Sequence, residues 1–244
     1  MRKPTVLVTG ASRGIGRAIA LTFAKKGYHV YINCNTSVDE LEALASEILA
    51  LPGGSVDVCV GGVGDADVVR SIFALIEHTS GALDVLINNA GIAHIGLFQD
   101  MTDEEWNRLV QTNLSSVFYC CRSAVPGMVS QKAGKIINIS SMWGTSGASC
   151  EVAYSATKAG VHGLTRALAK ELAPSNIQVN AIACGCIDTA MNAQLSDAER
   201  HSLEAELPAG RFGTPQEVAD MVMQLAESPA YLTGQIIGFD GGFL

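Results

Sequence analysis

"TVLVTGASRGIGRAIALTFAKKG", residues 5–27, decides the fold. Its opening, Thr5 to Gly10, is a β-branched run that stops at glycine, the signature of a buried strand. The continuation from Ile15 to Gly27 carries Ile15, Ile19, Ala20 and Phe23 at helical spacing and ends on a glycine stop. Between them Gly10, Gly14 and Gly16 make a G-x-x-x-G-x-G turn. Glycines there let the backbone turn tightly. They also let an anion approach the free N–H groups and the positive dipole end of the following helix. A glycine triplet alone is a weak signal; directly after the first strand of a strand–helix unit it points to a dinucleotide pyrophosphate.

The same alternation continues outward. "HVYIN" (29–33) reads as a strand, and 37–54 as a helix with a Ser37…Glu40 capping box and a Pro-Gly-Gly exit. "VDVCV" (56–60) is a third strand, followed by a helix over roughly 65–78, and "LDVLINNAG" (83–91) a fourth strand ending in a polar-glycine turn. A long helical region runs from about 103 to 131. "GKIINISS" (134–141), a helix over 151–173 and "IQVNAIAC" (177–184) come next. The stretch from 187 to about 212 is more polar and less regular. A helix over 215–227 opens on Pro215, and "GQIIGFDGG" (234–242) closes the chain with a strand and turn. Strict strand–helix alternation predicts an α/β fold: a doubly wound, Rossmann-like parallel sheet of about seven strands with helices on both faces. No linker, repeat or low-complexity stretch interrupts it, so residues 1–244 read as one domain.

Composition narrows the function. The chain has 244 residues, 48% apolar and only 16% charged, which suits a large buried core. A net charge of -8 without a basic stripe argues against nucleic acid. Seven scattered cysteines, an odd number, form no disulfide framework, and Cys184-Gly-Cys186 lacks the second ligand pair of a zinc site. No metal is expected. The apolar run in "MRKPTVLVTG" is too short for a signal core or a membrane span, so a cytoplasmic protein without a membrane partner is expected.

Two local patterns speak to chemistry. Readers of NAD place an acid at the end of the second strand for the ribose 2′-hydroxyl; readers of NADP lack it and supply a cation. Here Asn33 to Ser37 contain no acid, Arg13 in the glycine loop can reach the same space, and Asp39 falls where a helix first turn needs it. The pattern favours NADP(H). The second pattern is "YSATK" (154–158), which sets Tyr154 and Lys158 on one helical face. An adjacent ammonium is expected to lower the phenol pKa so that it can pass a proton. The spacing alone is a weak signal and gains weight from its surroundings.

Those surroundings are TGxxxGxG (9–16), "NNAG" (88–91), Ser141 at a strand end thirteen residues before the tyrosine, and YxxxK. Together they resemble the short-chain dehydrogenase/reductase family over essentially the whole chain. "QTNLSSVF", "YSATKAGVHGLTRALAKELA" and "RFGTPQEVA" are most similar to its 3-oxoacyl-[acyl-carrier-protein] reductases. The resemblance implies roles. Ser141 hydrogen-bonds a substrate carbonyl, Tyr154 protonates it, and Lys158 holds the nicotinamide ribose and depresses the tyrosine pKa. Asn113 fixes a water that links Lys158 to solvent. Ser140 is the other serine at that strand end, but the offset to Tyr154 favours Ser141. The implied cofactor contacts are Gly10, Ser12, Arg13, Gly14, Ile15, Gly16, Asn35, Val63, Asn89, Ala90, Gly91, Gly185, Ile187 and Thr189, with Tyr154 and Lys158. The segment about 187–212 would be a mobile lid. His162 and Trp143 read as packing residues.

Three departures bear on these expectations. Cys184-Gly185 stands where the family has Pro-Gly. Gly62-Val63-Gly64-Asp65 replaces an Asp-Val-x-Asp run, leaving the Val63 backbone to meet adenine. Lys132 stands at one basic docking place for an acidic acyl carrier protein, but Ser175 occupies the other. With the net charge, this favours a free or CoA-linked 3-oxo thioester, or another small ketone, over a carrier-bound one. The expected activity is NADPH-dependent reduction of a 3-oxoacyl thioester. The alternatives are oxidoreduction of a sugar, polyol or steroid, and a non-catalytic nucleotide sensor. The resemblance also implies a homotetramer.

Overall fold

The computed structural model describes residues 2–192 and 196–244. Seven parallel strands form one sheet in the order β3-β2-β1-β4-β5-β6-β7. They are β1 (Thr5–Val8), β2 (His29–Cys34), β3 (Val56–Val60), β4 (Val85–Asn88), β5 (Gly134–Ser141), β6 (Ile177–Cys184) and β7 (Ile236–Phe239). β1 pairs with β2 on one side and β4 on the other, Val6 facing both Val30 and Val85. The chain order reverses across β1. In such sheets the crevice beyond the carboxyl ends of the strands is where ligands bind.

Alternation along β1 shows why both faces carry helices. Val6 and Val8 enter one core with Ile19 and Phe23 of α1 (Gly14–Lys25), Leu41 and Leu44 of α2 (Val38–Ala50), and Val218 and Val222 of α9 (Pro215–Glu227). Leu7 points the other way. It packs with Val69 and Ile72 of α3 (Ala66–Ser80), Cys120 and Met128 of α5 (Ser116–Gln131), and Val161 and Leu172 of α7 (Val152–Leu172). Each such aliphatic side chain contributes about 1.5–3 kcal/mol on burial. The doubly wound sheet expected from the alternation is the one observed.

Two local expectations are corrected. Ser37 does cap α2, but its side chain makes no capping bond. Its backbone, at φ -84 and ψ 66, is not extended, so the hydroxyl does not face the N–H three residues on. Capping boxes form instead at Thr102/Glu105, Ser196/Glu199 and Thr214/Glu217, where the cap residue is extended. The long helix is not uniform either. α4 (Asp103–Val110) and α5 are joined by a π-turn over Gln111–Ser115, and Asn113 lies inside it. In the expected lid, α8 (Asp197–Glu206) follows a short 3₁₀ turn; residues 193–195 of that lid lie outside the described residues.

Candidate active site

The glycine loop is built around contacts that leave no room for side chains. Gly10 has φ +63, and a Cβ there would lie 2.9 Å from the Ala90 Cα. A Cβ on Gly16 would strike the Gly10 carbonyl oxygen and sit 2.6 Å from Asn89 Nδ2. A Cβ on Gly14, at φ +55, would lie 3.4 Å from the Thr189 methyl. The Asn89 side chain braces the turn, donating to the Thr9 and Gly10 carbonyls at 2.9 Å each. α1 starts from Arg13 with no side-chain cap and no acid in its first turn. Its N–H groups are therefore available to an anion. These features fit a bound pyrophosphate.

The ribose end fits as well. Asn35 follows β2 and is exposed, its Oδ1 3.0 Å from where a Cβ on Gly62 would stand. A bulkier residue at 62 would push against that amide. Asp39 sits in the first turn of α2, complementing its dipole. Arg13 is exposed beside the loop and Ser12 is buried within it. Ile15 packs against the core that buries Ile187, and Val63 is buried in the core on the other face, so their side chains point away from a ligand that their main chains could meet.

Two supporting residues escaped the sequence reading. Thr9 Oγ1 accepts the Asn89 and Ala90 N–H groups at 3.0 and 3.1 Å, tying the β1 and β4 ends together. Buried Asn33 donates to the Cys59 and Gly61 carbonyls at 2.9 Å, while its own carbonyl accepts from Ala11 N at 2.7 Å. Thr9 was visible as the residue before the first glycine. Asn33 gave no signal beyond a polar residue inside an apolar strand.

The tyrosine crevice lies next to this cradle. Lys158 is buried; its Nζ donates to the Ile139 carbonyl at 3.0 Å and stands 5.5 Å from the centre of the Tyr154 ring. A Cβ on Gly91 would come within 3.6 Å of that Nζ and 3.5 Å of Asn113 Oδ1. Ser141 ends β5 opposite Cys184 of β6, and its Oγ accepts the Trp143 N–H at 3.2 Å. The structure thus brings Gly91, Asn113, Tyr154 and Lys158 to one edge of the sheet with Ser141.

The electrostatics correct the expected tuning. Burial pushes the Tyr154 hydroxyl above its ordinary pKa of 10, and the Ser141 hydroxyl works the other way. The ammonium does not decide the direction, because burial also lowers Lys158 to about 8. Desolvation disfavours both charged forms. Asn113 anchors the neighbouring loop. Its Oδ1 accepts the Ile92 N–H at 2.9 Å, and its Nδ2 donates to the Ile92 carbonyl at 2.8 Å and approaches Thr157 Oγ1 at 3.3 Å. The carboxamide pins the loop after β4.

Cys184 is buried and pushed up to about 12, although Lys158 pulls the other way; the cation comes from α7, not from the neighbouring sequence. Gly185 keeps close contact with Asp240, 2.7 Å from its Cα to the place a Cβ would take. All seven cysteines are free. Among the described residues no His, Cys, Asp or Glu cluster could hold a metal ion, and no helix is long and apolar enough to cross a membrane.

A glycine cradle and a serine–tyrosine–lysine crevice on a doubly wound sheet define a dinucleotide-binding oxidoreductase. More narrowly, the chain belongs to the short-chain dehydrogenase family, whose model matches residues 4–200. It is 42% identical over 239 residues to the 3-oxoacyl-[acyl-carrier-protein] reductase FabG of Thermotoga maritima, covering 98% of this chain and 96% of that one. Against the enzyme of the same name from Staphylococcus aureus it is 44% identical over 239 residues, with 98% and 97% covered. Among solved structures it superposes on YwfH, an NADPH-dependent reductase involved in bacilysin biosynthesis, with a TM-score of 0.94 and 30% identity, covering 100% of this chain and 99% of that one.

Proposed function

We propose that this protein reduces the ketone of a 3-oxoacyl thioester with NADPH, giving the 3-hydroxyacyl thioester. The convergence of Ser141, Tyr154 and Lys158 beside the glycine cradle carries the reading. When bound, NADPH supplies the hydride for the carbonyl carbon. The protein's own part is the oxygen. The Ser141 hydroxyl donates to it, and Tyr154 delivers the proton as negative charge develops. At neutral pH the phenol carries that proton, and burial raises its pKa further above 10. Lys158 offers its ammonium to the ribose and to the developing charge.

The relatives' names support the thioester, and the missing acid after β2 supports NADPH, with Arg13 and Asn35 reading the 2′-phosphate. We place the enzyme in the cytoplasm as a homotetramer. A second reading, reduction of another small ketone, is favoured by the half-buried Glu151 carboxyl close to Tyr154, a group foreign to an acyl chain.

Acetoacetyl-CoA assayed with NADPH and with NADH tests the proposal. Turnover with NADPH is expected; no loss of NADPH, with turnover of an unrelated alcohol, refutes it. Tyr154→Phe is expected to abolish turnover and leave NADPH binding intact, whereas parallel loss of both would make the tyrosine structural. Full turnover by that variant would remove it from the reaction.

A further inference from the structure

His162 sits on α7 one turn beyond Lys158, on the face that carries Tyr154. It is not merely packed. Its Nε2 and the Ser140 Oγ are 2.8 Å apart, both buried. The same Ser140 hydroxyl also approaches the Lys158 carbonyl at 3.4 Å. On the other side of the ring lies α6 (Trp143–Ser146). A Cβ on Gly144 would fall 2.8 Å from His162 Cε1 and 2.8 Å from the Lys158 carbonyl carbon. One imidazole therefore touches the residue before Ser141 and the turn just after it.

We propose that His162 is a positioning residue: by accepting the Ser140 hydroxyl and backing the Gly144 turn, it fixes the Ser141 hydroxyl in register with Tyr154. Three residues, Ser141 to Trp143, are held at both ends from the helix that carries the acid. The remaining bonds of this span agree with such a clamp. Met142 N donates to the Cys184 carbonyl at 2.9 Å, and Trp143 N donates to Ser141 Oγ itself. The charged groups facing the ring are Lys158 and Arg166, both on α7. With burial they hold the imidazole neutral, as an acceptor must be. Ser140 from β5 and the Gly144 backbone from α6 are its uncharged neighbours.

The inference rests on the catalytic reading above, and its test separates the two. His162→Leu removes the acceptor, Ser140→Ala the donor, and His162→Gln restores an acceptor. The expected result for His162→Leu is a fall in kcat of about tenfold, since small misplacement of a catalytic group is costly. NADPH affinity, read by fluorescence titration, should stay within about twofold. His162→Gln should recover most of the loss. In a Ser141→Ala background, single-turnover rates should not fall further when His162→Leu is added, because the clamp acts only through that hydroxyl. Ser140→Ala reports on the same bond with a minimal change should His162→Leu fold poorly, and should lower kcat likewise. The proposal is overturned by unchanged kcat, by an equal loss with and without Ser141, or by NADPH affinity falling in step. If Tyr154→Phe retains turnover in the same assay, the catalytic reading falls and takes this one with it. A dead Tyr154→Phe beside an unimpaired His162→Leu overturns this one alone.

Discussion

Replacing Lys158 by methionine is expected to stop turnover and to stabilise the protein. Its ammonium is buried, and burial lowers its pKa from 10.5 to about 8. At about 1.36 kcal/mol per pH unit, holding that charge in the fold costs roughly 3 kcal/mol at neutral pH. Methionine fills comparable space without a charge. It gives up the bond to the Ile139 carbonyl, worth about 1 kcal/mol. The net gain is about 2 kcal/mol, or about 4–8 °C in Tm for a chain of this length.

The sign of the pH dependence follows from the same shift. Below about 8 the lysine is charged in both states, and the penalty is complete. Between about 8 and 10.5 the unfolded chain holds more protons than the folded one, so the wild-type protein gains on the variant as pH rises. Urea unfolding of both proteins at one protein concentration, at about pH 7 and about pH 9.5, measures this. Comparing the two isolates the lysine, because Tyr154 and the buried thiols titrate in both. A variant less stable than wild type near pH 7, or an advantage that does not shrink towards pH 9.5, would refute the reasoning.

Other outcomes follow from the same geometry. Gly16→Ala should weaken NADPH by at least about tenfold and cost about 1–3 kcal/mol, because its methyl strikes backbone in the cradle; unchanged affinity in a fluorescence titration would refute the close fit. Of the seven thiols, Cys150 and Cys186 are partly exposed and should react promptly with a disulfide reagent, the five buried ones only after denaturation. Fast labelling of Cys184 would contradict its burial. Glu217 is held at about 2, chiefly by Arg211. Its contribution to stability is complete above 4.5 and lost as pH falls towards 2, and Arg211→Ala should move its NMR titration back towards 4.5.

What the sequence announced was what local order can carry. β5, β6 and α9 begin and end where their apolar runs and punctuation place them, Gly134 and Pro215 included. The cradle was legible because glycine is the residue such contacts require. The π-turn at Gln111–Ser115 was not, since one extra residue in a helical turn alters hydrogen bonding without altering composition. Ser37 followed the cap pattern, but its backbone took another conformation. The direction of the Tyr154 shift is not legible in the sequence, because one-turn spacing is local and burial is tertiary. The contact of His162 with Ser140 joins residues 22 apart on different elements, and no periodicity reports it.

The topology explains why the reaction's parts were easier to read than its substrate. Parallel strands all end at one edge, so motifs closing β1, β4, β5 and β6 meet there whatever else the chain contains. Substrate choice falls to elements off the sheet, which no strand register constrains. Two residues after Ser141, the Trp143 ring meets the penultimate Phe243 edge-on at 5.7 Å. The Trp143 side chain also draws the half-buried Glu151 carboxyl down against the burial that raises it. Trp143 thus touches Phe243 and bears on the Glu151 carboxyl, which in turn bears on Tyr154. Changing Glu151 to Gln should shift preference among ketones without moving NADPH affinity. A panel in which every substrate slows equally would place that carboxyl in the scaffold instead of in substrate selection.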